Sequence, residues 1–334
     1  MNKHKKPENN MNITTIITHS GRFHADEVFS LALMTALWPK ATVIRTREQK
    51  LYDQADDNTA LIDVGGVADD IGLRCDHHQN DAPWRMTEHG EKDCPYSSFG
   101  LVWKHHGMRY LRTQTQIKER LQQKQVWSRV DRRLVRRIDM LDNAHISEDE
   151  QGLTHPLNLA KSIDLFAPDF DDKRPNAMDD AFFEAVAFAR VYLDNTIRKI
   201  WAEIRAGTVV ETAVLKREHK KWFELPTGMP YLNALKKHRA NDVLYAMMPG
   251  DNGTWNVTCV RDQTRDLGVR KPFPKSWAGL RDEELEQETG VQGALFCHGG
   301  RFLVAAKTRQ AAIALIQAAE TESKKQETSA MSSQ

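Results

Sequence analysis

The sequence has few cysteines, no long hydrophobic run and almost no net charge. Its four cysteines have no CxxC spacing, which excludes a zinc ribbon and a disulfide framework and favours the reducing cytoplasm. The apolar runs are far shorter than a bilayer span, so we expect no membrane partner. A net charge of +1 excludes strong nonspecific binding of nucleic acid over the whole surface.

The first group of polar side chains lies between a strand and a helix. The apolar run Ile13–Thr18 predicts a buried strand, and apolar residues at helical spacing from Val28 to Leu37 predict a helix. His19, His24 and Asp26 lie between these two elements, at the strand end where open α/β sheets bind ligands. Taken alone, the group is equally consistent with a solvated loop and ordinary helix capping.

A second strand ends in similar chemistry. The run Thr59–Val64 predicts a strand that includes Asp63, and the triplet Asp76, His77 and His78 follows soon after it. A carboxylate with two adjacent histidines, close to another strand-end aspartate, is rarely structural. Imidazole and carboxylate ligands together suit Mn, Zn or Fe, whereas oxygen ligands alone suit Mg or Ca. The sequence therefore predicts a divalent metal site.

The motifs HSGRFHADE, DVGG and CDHHQ resemble those of the DHH phosphoesterase superfamily, and more narrowly of the MYG1 (UPF0160) family of metal-dependent nucleases. Further segments, among them PYSSFGLVWKHHG, RRIDMLDNA and SWAGLRDEELEQETGVQGALFCHGGRF, extend the likeness from about Ile13 to Ala319. We expect an α/β fold, in which a DHH-type domain with a mainly parallel sheet is joined by a helical connection to a smaller carboxyl-terminal α+β domain.

The resemblance implies a site for two divalent ions, with manganese as first choice and Mg, Zn or Fe as alternatives. His19, His24 and Asp63 would hold one ion, and Asp26, Asp63 and His77 would hold the other, so that Asp63 bridges them. Where DHH phosphoesterases often carry Asp-x-Asp, this chain has His24-Ala25-Asp26, which matches the MYG1 pattern and leaves the metal preference open.

One more ligand would come from the segment 137–143. Asp142 is the first choice and Asp139 the second, because two aspartates three positions apart on a helix can face the same side. The catalytic residues implied by the resemblance are Asp63, His78 and Asp76. His78 would face the substrate phosphate, and Asp76 would orient His77.

Several basic residues are candidates for substrate binding. Arg45 and Arg47 can meet either a substrate phosphate or a neighbouring acid. The basic segment 118–137 is either a solvated helix surface or a contact for a nucleic-acid backbone. In the carboxyl-terminal part, the resemblance favours three further candidates: His298, Arg301 and Lys307.

The leading functional hypothesis is a metal-dependent exonuclease that acts on RNA or single-stranded DNA, as the family resemblance suggests. A phosphoesterase for a short oligonucleotide or pyrophosphate is the first alternative. A nucleic-acid-binding protein with a structural metal is the second. An amphipathic helix with apolar positions from Phe182 to Ile204 either packs within its own chain, the commoner case, or supplies a homodimer surface.

The domain organisation follows from these patterns and from polar segments. We expect a flexible loop over the site at 81–95, and strands at 212–215, 243–248, 255–260, 292–298 and 302–305. The expected parts of the chain are a disordered leader (1–12), the catalytic domain (13–160), a linker with the connecting helix (161–206), the substrate-binding domain (207–320) and a disordered tail (321–334).

Overall fold

The computed structural model describes residues 11–145, 158–262, 264 and 268–331. The chain divides into two compact units, Met1–Trp201 and Ala202–Gln334, so the division falls inside the predicted connecting helix. An α/β fold with a parallel sheet is confirmed. Most of the predicted leader, 1–12, lies outside the described residues.

The first unit contains a four-stranded parallel sheet with the order β2-β1-β3-β4. Its strands are β1 (Thr15–Thr18), β2 (Thr42–Arg45), β3 (Thr59–Ile62) and β4 (Arg74–Cys75). Buried β-branched and aliphatic residues form β1 and β3, whose side chains are covered on both faces. Because β1, β3 and β4 are neighbours and run in one direction, the polar residues that follow them meet at one edge of the sheet.

Helices pack against this sheet and carry the remaining polar groups. They are α1 (Ala25–Leu37), α2 (Gln49–Asp53), α3 (Ser98–Gln114), α4 (Arg120–Val130), α5 (Arg136–Asp142) and α6 (Leu159–Asp164). A π-helical turn, Asp131–Val135, joins α4 to α5. Helices α1, α3 and α5 contact one another, so the end of α5 is brought to the amino terminus of α1.

The predicted flexible loop at 81–95 is instead an ordered hairpin of β5 (Trp84–Met86) and β6 (Lys92–Pro95). Ion pairs hold it to the helical segment 120–142. Arg85 in β5 contacts Asp131 and Asp139, and Asp93 in β6 contacts Arg136. These partners are distant in sequence, so the polar, turn-rich composition that indicated a loop does not reveal them.

Helix α7 (Ala177–Leu215) is longer than the sequence predicted. Its predicted apolar stripe is buried from Phe182 to Ile200, which confirms the amphipathic helix. The predicted strand at 212–215 is wrong, because these residues form the last turn of α7. Their β-branched neighbours favour a strand locally, but Val210 and Val214, four positions apart, are buried together in a core of the second unit.

The second unit is built on a five-stranded sheet with the order β10-β11-β9-β8-β7. Among its described strand pairs, β7-β8 is parallel and the other three are antiparallel. Two buried clusters form its core. Its elements are β7 (Trp222–Glu224), α8 (Leu232–Lys237), β8 (Tyr245–Pro249), β9 (Trp255–Cys259), α9 (Asp282–Thr289), β10 (Ala294–Cys297), β11 (Leu303–Ala306) and α10 (Arg309–Met331).

Helix α10 corrects the predicted disordered tail, 321–334, because it continues to Met331. The composition explains this difference, since Ala, Glu, Lys and Gln are strong helix formers even in a polar segment. Residues 332–334 lie outside the described part of the chain. Among the described helices, none combines the length and hydrophobicity that a membrane span needs.

Candidate metal centre

The site begins at the ends of two neighbouring strands. His19 directly follows β1 and Asp63 directly follows β3, and His19 Nε2 lies 3.2 Å from Asp63 Oδ2. Asp63 has φ 61°, a left-handed conformation that costs a non-glycine residue roughly 1–3 kcal/mol. Gly65 and Gly66 continue at positive φ. The chain thus makes a tight turn in which the Asp63 backbone is strained and its buried carboxylate lies at the sheet edge.

The other oxygen of Asp63 faces His77. Oδ1 lies 3.2 Å from His77 Nε2 and accepts a hydrogen bond of 2.9 Å from the Ser98 hydroxyl. A single carboxylate therefore lies between two imidazoles, with one oxygen directed to each ring. Such an arrangement is suited to a carboxylate that bridges two cations.

The start of α1 adds three more candidate ligands. His24 is the residue before the helix, and its backbone N–H donates to Glu27 Oε1 at 2.8 Å. The same oxygen lies 3.0 Å from His19 Nε2. Asp26 is 1% exposed, and within the described residues neither of its carboxylate oxygens has a hydrogen-bond partner. A buried carboxylate without donors is costly unless a cation satisfies it.

Asp142 completes the group from the last turn of α5. Its Oδ2 lies 3.1 Å from His77 Nε2, and its carboxylate is close to His24 and Asp26. Asn143 follows at once, and its Oδ1 lies 3.2 Å from His77 Nδ1 while its Nδ2 donates to the Asp139 carbonyl at 2.9 Å. Because Nδ2 is the donor to Asp139, Oδ1 accepts from His77 Nδ1–H. This leaves the lone pair of Nε2 for a ligand.

Electrostatics explain how these groups share protons. Burial lowers the pKa of His19, but Asp63 and Glu27 outweigh it and raise the pKa to about 10. Burial lowers the pKa of His77, but Asp63 and Asp142 outweigh it and raise the pKa to about 9. Burial and the nearby carboxylates raise the pKa of Asp26 well above its usual value. Without metal, the two imidazoles are therefore protonated near neutral pH and offset part of the negative charge of the acidic cluster; a bound cation would replace these protons.

The donor set fits divalent cations. Four overlapping groups of side chains each bring three candidate ligand atoms within 4.8 Å of one another. These groups are His19/His24/Glu27, Asp63/His77/His78, His24/Asp26/Asp142 and Asp26/Glu27/Asp63. Mixed imidazole and carboxylate donors, including the buried oxygens of Asp26, can bind a metal.

Asp139, the second choice for the last ligand, is used elsewhere. Its carboxylate accepts from Ser97 Oγ at 2.6 Å and from Arg85 Nε at 2.5 Å. Asp139 and Asp142 are one helical turn apart, but Asp139 is fully buried between the hairpin and α3. Of the two aspartates, the structure places Asp142 beside His77.

Asp76 also differs from its predicted role. Its Oδ1 lies 2.7 Å from Nδ1 of His78, and it accepts the backbone N–H of His77 rather than the His77 ring. Asp76 therefore orients His78, and the role expected of it toward the His77 ring is taken by Asn143. The two rings lie side by side, with centroids 4.4 Å apart, but it is the His78 ring nitrogen that lies within hydrogen-bond distance of Asp76.

Arg45 and Arg47 have separate surroundings. The Arg45 side chain is 2% exposed, contacts Asp179 at 2.5 Å and lies 4.1 Å over the Phe182 ring. Arg45 therefore meets a neighbouring acid and not solvent. Arg47 is exposed, donates to the Ser20 carbonyl at 2.9 Å and lies 3.4 Å from His19 Nδ1.

The three candidates in the second unit lie in and after the β10-β11 turn. His298 is exposed and accepts the backbone N–H of Gly300, and Arg301 donates to the Phe273 carbonyl at 3.1 Å. Lys307 is exposed, 3.9 Å from Glu286. His298 and Lys307 are thus accessible, whereas Arg301 has a structural bond within its own unit.

Three residues of the site are not predicted by the sequence patterns. In the sequence, Glu27 indicates only ordinary helix capping, because Asp and Glu are common in a first helical turn. Ser98 reads only as a helix cap, and Asn143 gives no signal apart from its place next to Asp142. Ser98 contacts Asp63, 35 positions earlier in the chain, and Asn143 contacts His77, 66 positions earlier. Local patterns do not indicate contacts over such separations.

Comparison with known proteins gives the family. The sequence profile described as an uncharacterised protein family, UPF0160 (MYG1), matches residues 15–319. The chain belongs to this family. It is 27% identical to a MYG1 protein of Dictyostelium discoideum, over 91% of this chain and 95% of that protein. It is 27% identical to the MYG1 exonuclease of Mus musculus, over 94% of this chain and 87% of that protein. It is 25% identical to the MYG1 exonuclease of Homo sapiens, over 90% of this chain and 84% of that protein.

Proposed function

We propose that this MYG1-family protein is a metal-dependent nuclease that removes nucleotides from the end of RNA or single-stranded DNA. The observation that carries the proposal is the position of the Asp63 carboxylate between His19 and His77, beside the buried Asp26 carboxylate, which has no hydrogen-bond partner among the described residues. The name exonuclease, given to its mammalian relatives, supports cleavage from an end.

The proposed site holds two divalent cations, manganese by first choice, in a DHH-type domain. One would be held by His19, His24 and Asp63, with Glu27 in reach, and the other by Asp26, Asp63, His77 and Asp142. When bound, such ions lower the pKa of a shared water and neutralise charge on the phosphoryl oxygens. The four carboxylates of the cluster supply the negative charge that the cations need.

The residues around the site have distinct tasks in this proposal. His78 is the proton donor to the leaving oxygen, because its side chain is 63% exposed and Asp76 fixes its Nδ1 at 2.7 Å. Asp76 also stabilises the imidazolium and raises the pKa of His78. Arg47, at the exposed rim beside His19, binds a substrate phosphate.

Nucleic acid as the substrate is favoured by the basic segment 118–137. Five of its basic side chains are exposed: Lys118, Arg120, Lys124, Arg132 and Arg137. This segment continues directly into Asp142, so the charges belong to the same helical run as a proposed ligand. The two accessible candidates of the second unit, His298 and Lys307, are proposed as further substrate contacts. A cytoplasmic location stays a prediction.

The test is digestion of end-labelled RNA and single-stranded DNA after chelation and addition of manganese. The proposal predicts a ladder of products that requires the metal and that Asp63→Asn abolishes, since this variant keeps the size of the side chain. Cleavage confined to dinucleotides or pyrophosphate would favour the small-substrate alternative. Tight metal binding without cleavage of any of these substrates would favour the structural-metal alternative.

A further inference from the structure

Helix α7 carries an exposed face that includes large apolar side chains. Its opposite face is buried, whereas Val191 is 60%, Tyr192 40% and Phe188 37% exposed. These three residues line a groove of about 410 Å³, together with Asn195, Thr196 and Lys199. Contiguous apolar exposure of this kind is typical of an interaction surface.

The order of residues along this face is symmetric about Val191. Five exposed residues along this face, Glu184, Ala187, Val191, Asn195 and Arg198, have spacings of three, four, four and three. These spacings keep the residues on one side of a helix. We define them as the exposed α7 face. An acid at one end, a base at the other and small or short side chains between them make the face complementary to itself.

We propose that a second copy of this chain binds here, with the two α7 helices antiparallel about a twofold axis at Val191. In such an isologous contact, a residue seven positions before the axis faces one seven positions after it. Glu184 of each copy then meets Arg198 of the other, and Ala187 meets Asn195. Phe188 and Tyr192 flank the axis and bury their exposed rings.

The charges argue for a second copy over an unrelated protein. An unrelated partner has no reason to match an acid and a base at equal distances from Val191, whereas antiparallel self-association requires this pattern. The alternative parallel arrangement would place Glu184 against Glu184, and like charges are unfavourable there. The orientation of the dimer thus follows from the charge pattern.

The test is sedimentation velocity of the full chain over roughly 1–100 µM, the range suited to an interface of modest size. We expect a dimer that Val191→Glu converts to monomer. The matched control is Leu121→Glu, because Leu121 is 67% exposed on α4, outside the face. We expect this control to stay dimeric and both variants to keep the wild-type circular dichroism.

Charge exchange supplies a test that does not depend on a folding defect. Glu184→Arg and Arg198→Glu should each weaken the dimer about tenfold, because each change occurs twice in a twofold contact. The double variant should return to near wild-type affinity. A monomeric wild type, a dimer unaffected by Val191→Glu, or a double variant weaker than both single variants would overturn the proposal.

Discussion

The side-chain carbonyl of Asn143 lies 3.2 Å from Nδ1 of His77, while the amide of Asn143 is held by the Asp139 carbonyl. This contact fixes which nitrogen of His77 carries the proton and turns the other one toward Asp63 and Asp142. Removal of a group that holds a metal-binding histidine in this way typically lowers the metal affinity 10- to 100-fold.

Replacement of Asn143 should therefore weaken metal binding. We expect Asn143→Leu to raise the manganese dissociation constant about 10- to 100-fold in a calorimetric titration, because Leu cannot accept from His77 Nδ1. Asn143→Asp keeps an accepting oxygen and should bind close to wild type. Equal losses in the two variants would show that packing, and not the hydrogen bond, is responsible.

Arg45, at the end of β2, and Arg47, just after it, should behave differently when they are replaced. Arg45→Met should lower the free energy of unfolding by roughly 1–3 kcal/mol, because it removes the bonds of the buried guanidinium to the Gly21 carbonyl and to the half-exposed Asp179. Arg47→Met should change stability little and raise KM for a nucleic-acid substrate. Urea denaturation and steady-state kinetics on both variants measure this difference. A raised KM in folded Arg45→Met, with wild-type kinetics in Arg47→Met, would reverse the assignment.

Without metal, stability should fall as the pH rises from about 6.5 to 10. The pKa values of His19 and His77 are about 10 and 9 in the folded chain, against 6.5 for the ordinary side chain. The folded state therefore binds more protons, and this stabilisation is complete below pH 6.5 and is lost as the pH passes 9 to 10.

Urea unfolding in a chelator at several pH values in this range measures the effect. His19→Gln should make the decline less steep, since one of the two groups is removed. Added manganese should oppose the decline, because metal ligands must lose their protons to bind. A wild-type stability that rises across this range without metal would contradict the assignment.

The exposed basic side chains of segment 118–137 should bind nucleic-acid backbones. Charge removal at Lys124, Arg132 and Arg137 should weaken RNA binding and reduce the slope of log affinity against log salt by roughly one per contact. Cleavage of a small chromogenic phosphodiester should be unaffected. An unchanged salt slope would identify this segment as a solvated helix surface.

Short-range patterns predicted the strand ends and the side chains that gather there. His19 and Asp63 each follow a β-branched strand directly, so their positions at one sheet edge depend only on strand order. Asp142 was distinguished from Asp139 only by the structure, since helical spacing allows both to face one side. The partner of Asp139 is Arg85, 54 positions earlier, and no local signal indicates that pair.

Other differences arose where tertiary packing competes with local preference. Residues 212–215 have strand-like composition, but Val210 and Val214 pack a helix into the core of the second unit. Arg45 and Arg47 have the same residue type, and it is Asp179 and Phe182, both distant in sequence, that give Arg45 its different environment. The sequence gives no means of predicting such contacts without a fold.

The most direct test is anomalous diffraction at the manganese edge from crystals grown with manganese. The account predicts two peaks roughly 3.5–4 Å apart, both within coordination distance of the Asp63 carboxylate. The first should also lie beside His19 and His24, and the second beside Asp26, His77 and Asp142. Peaks that avoid Asp63, or none in a crystal soaked with excess manganese, would contradict it.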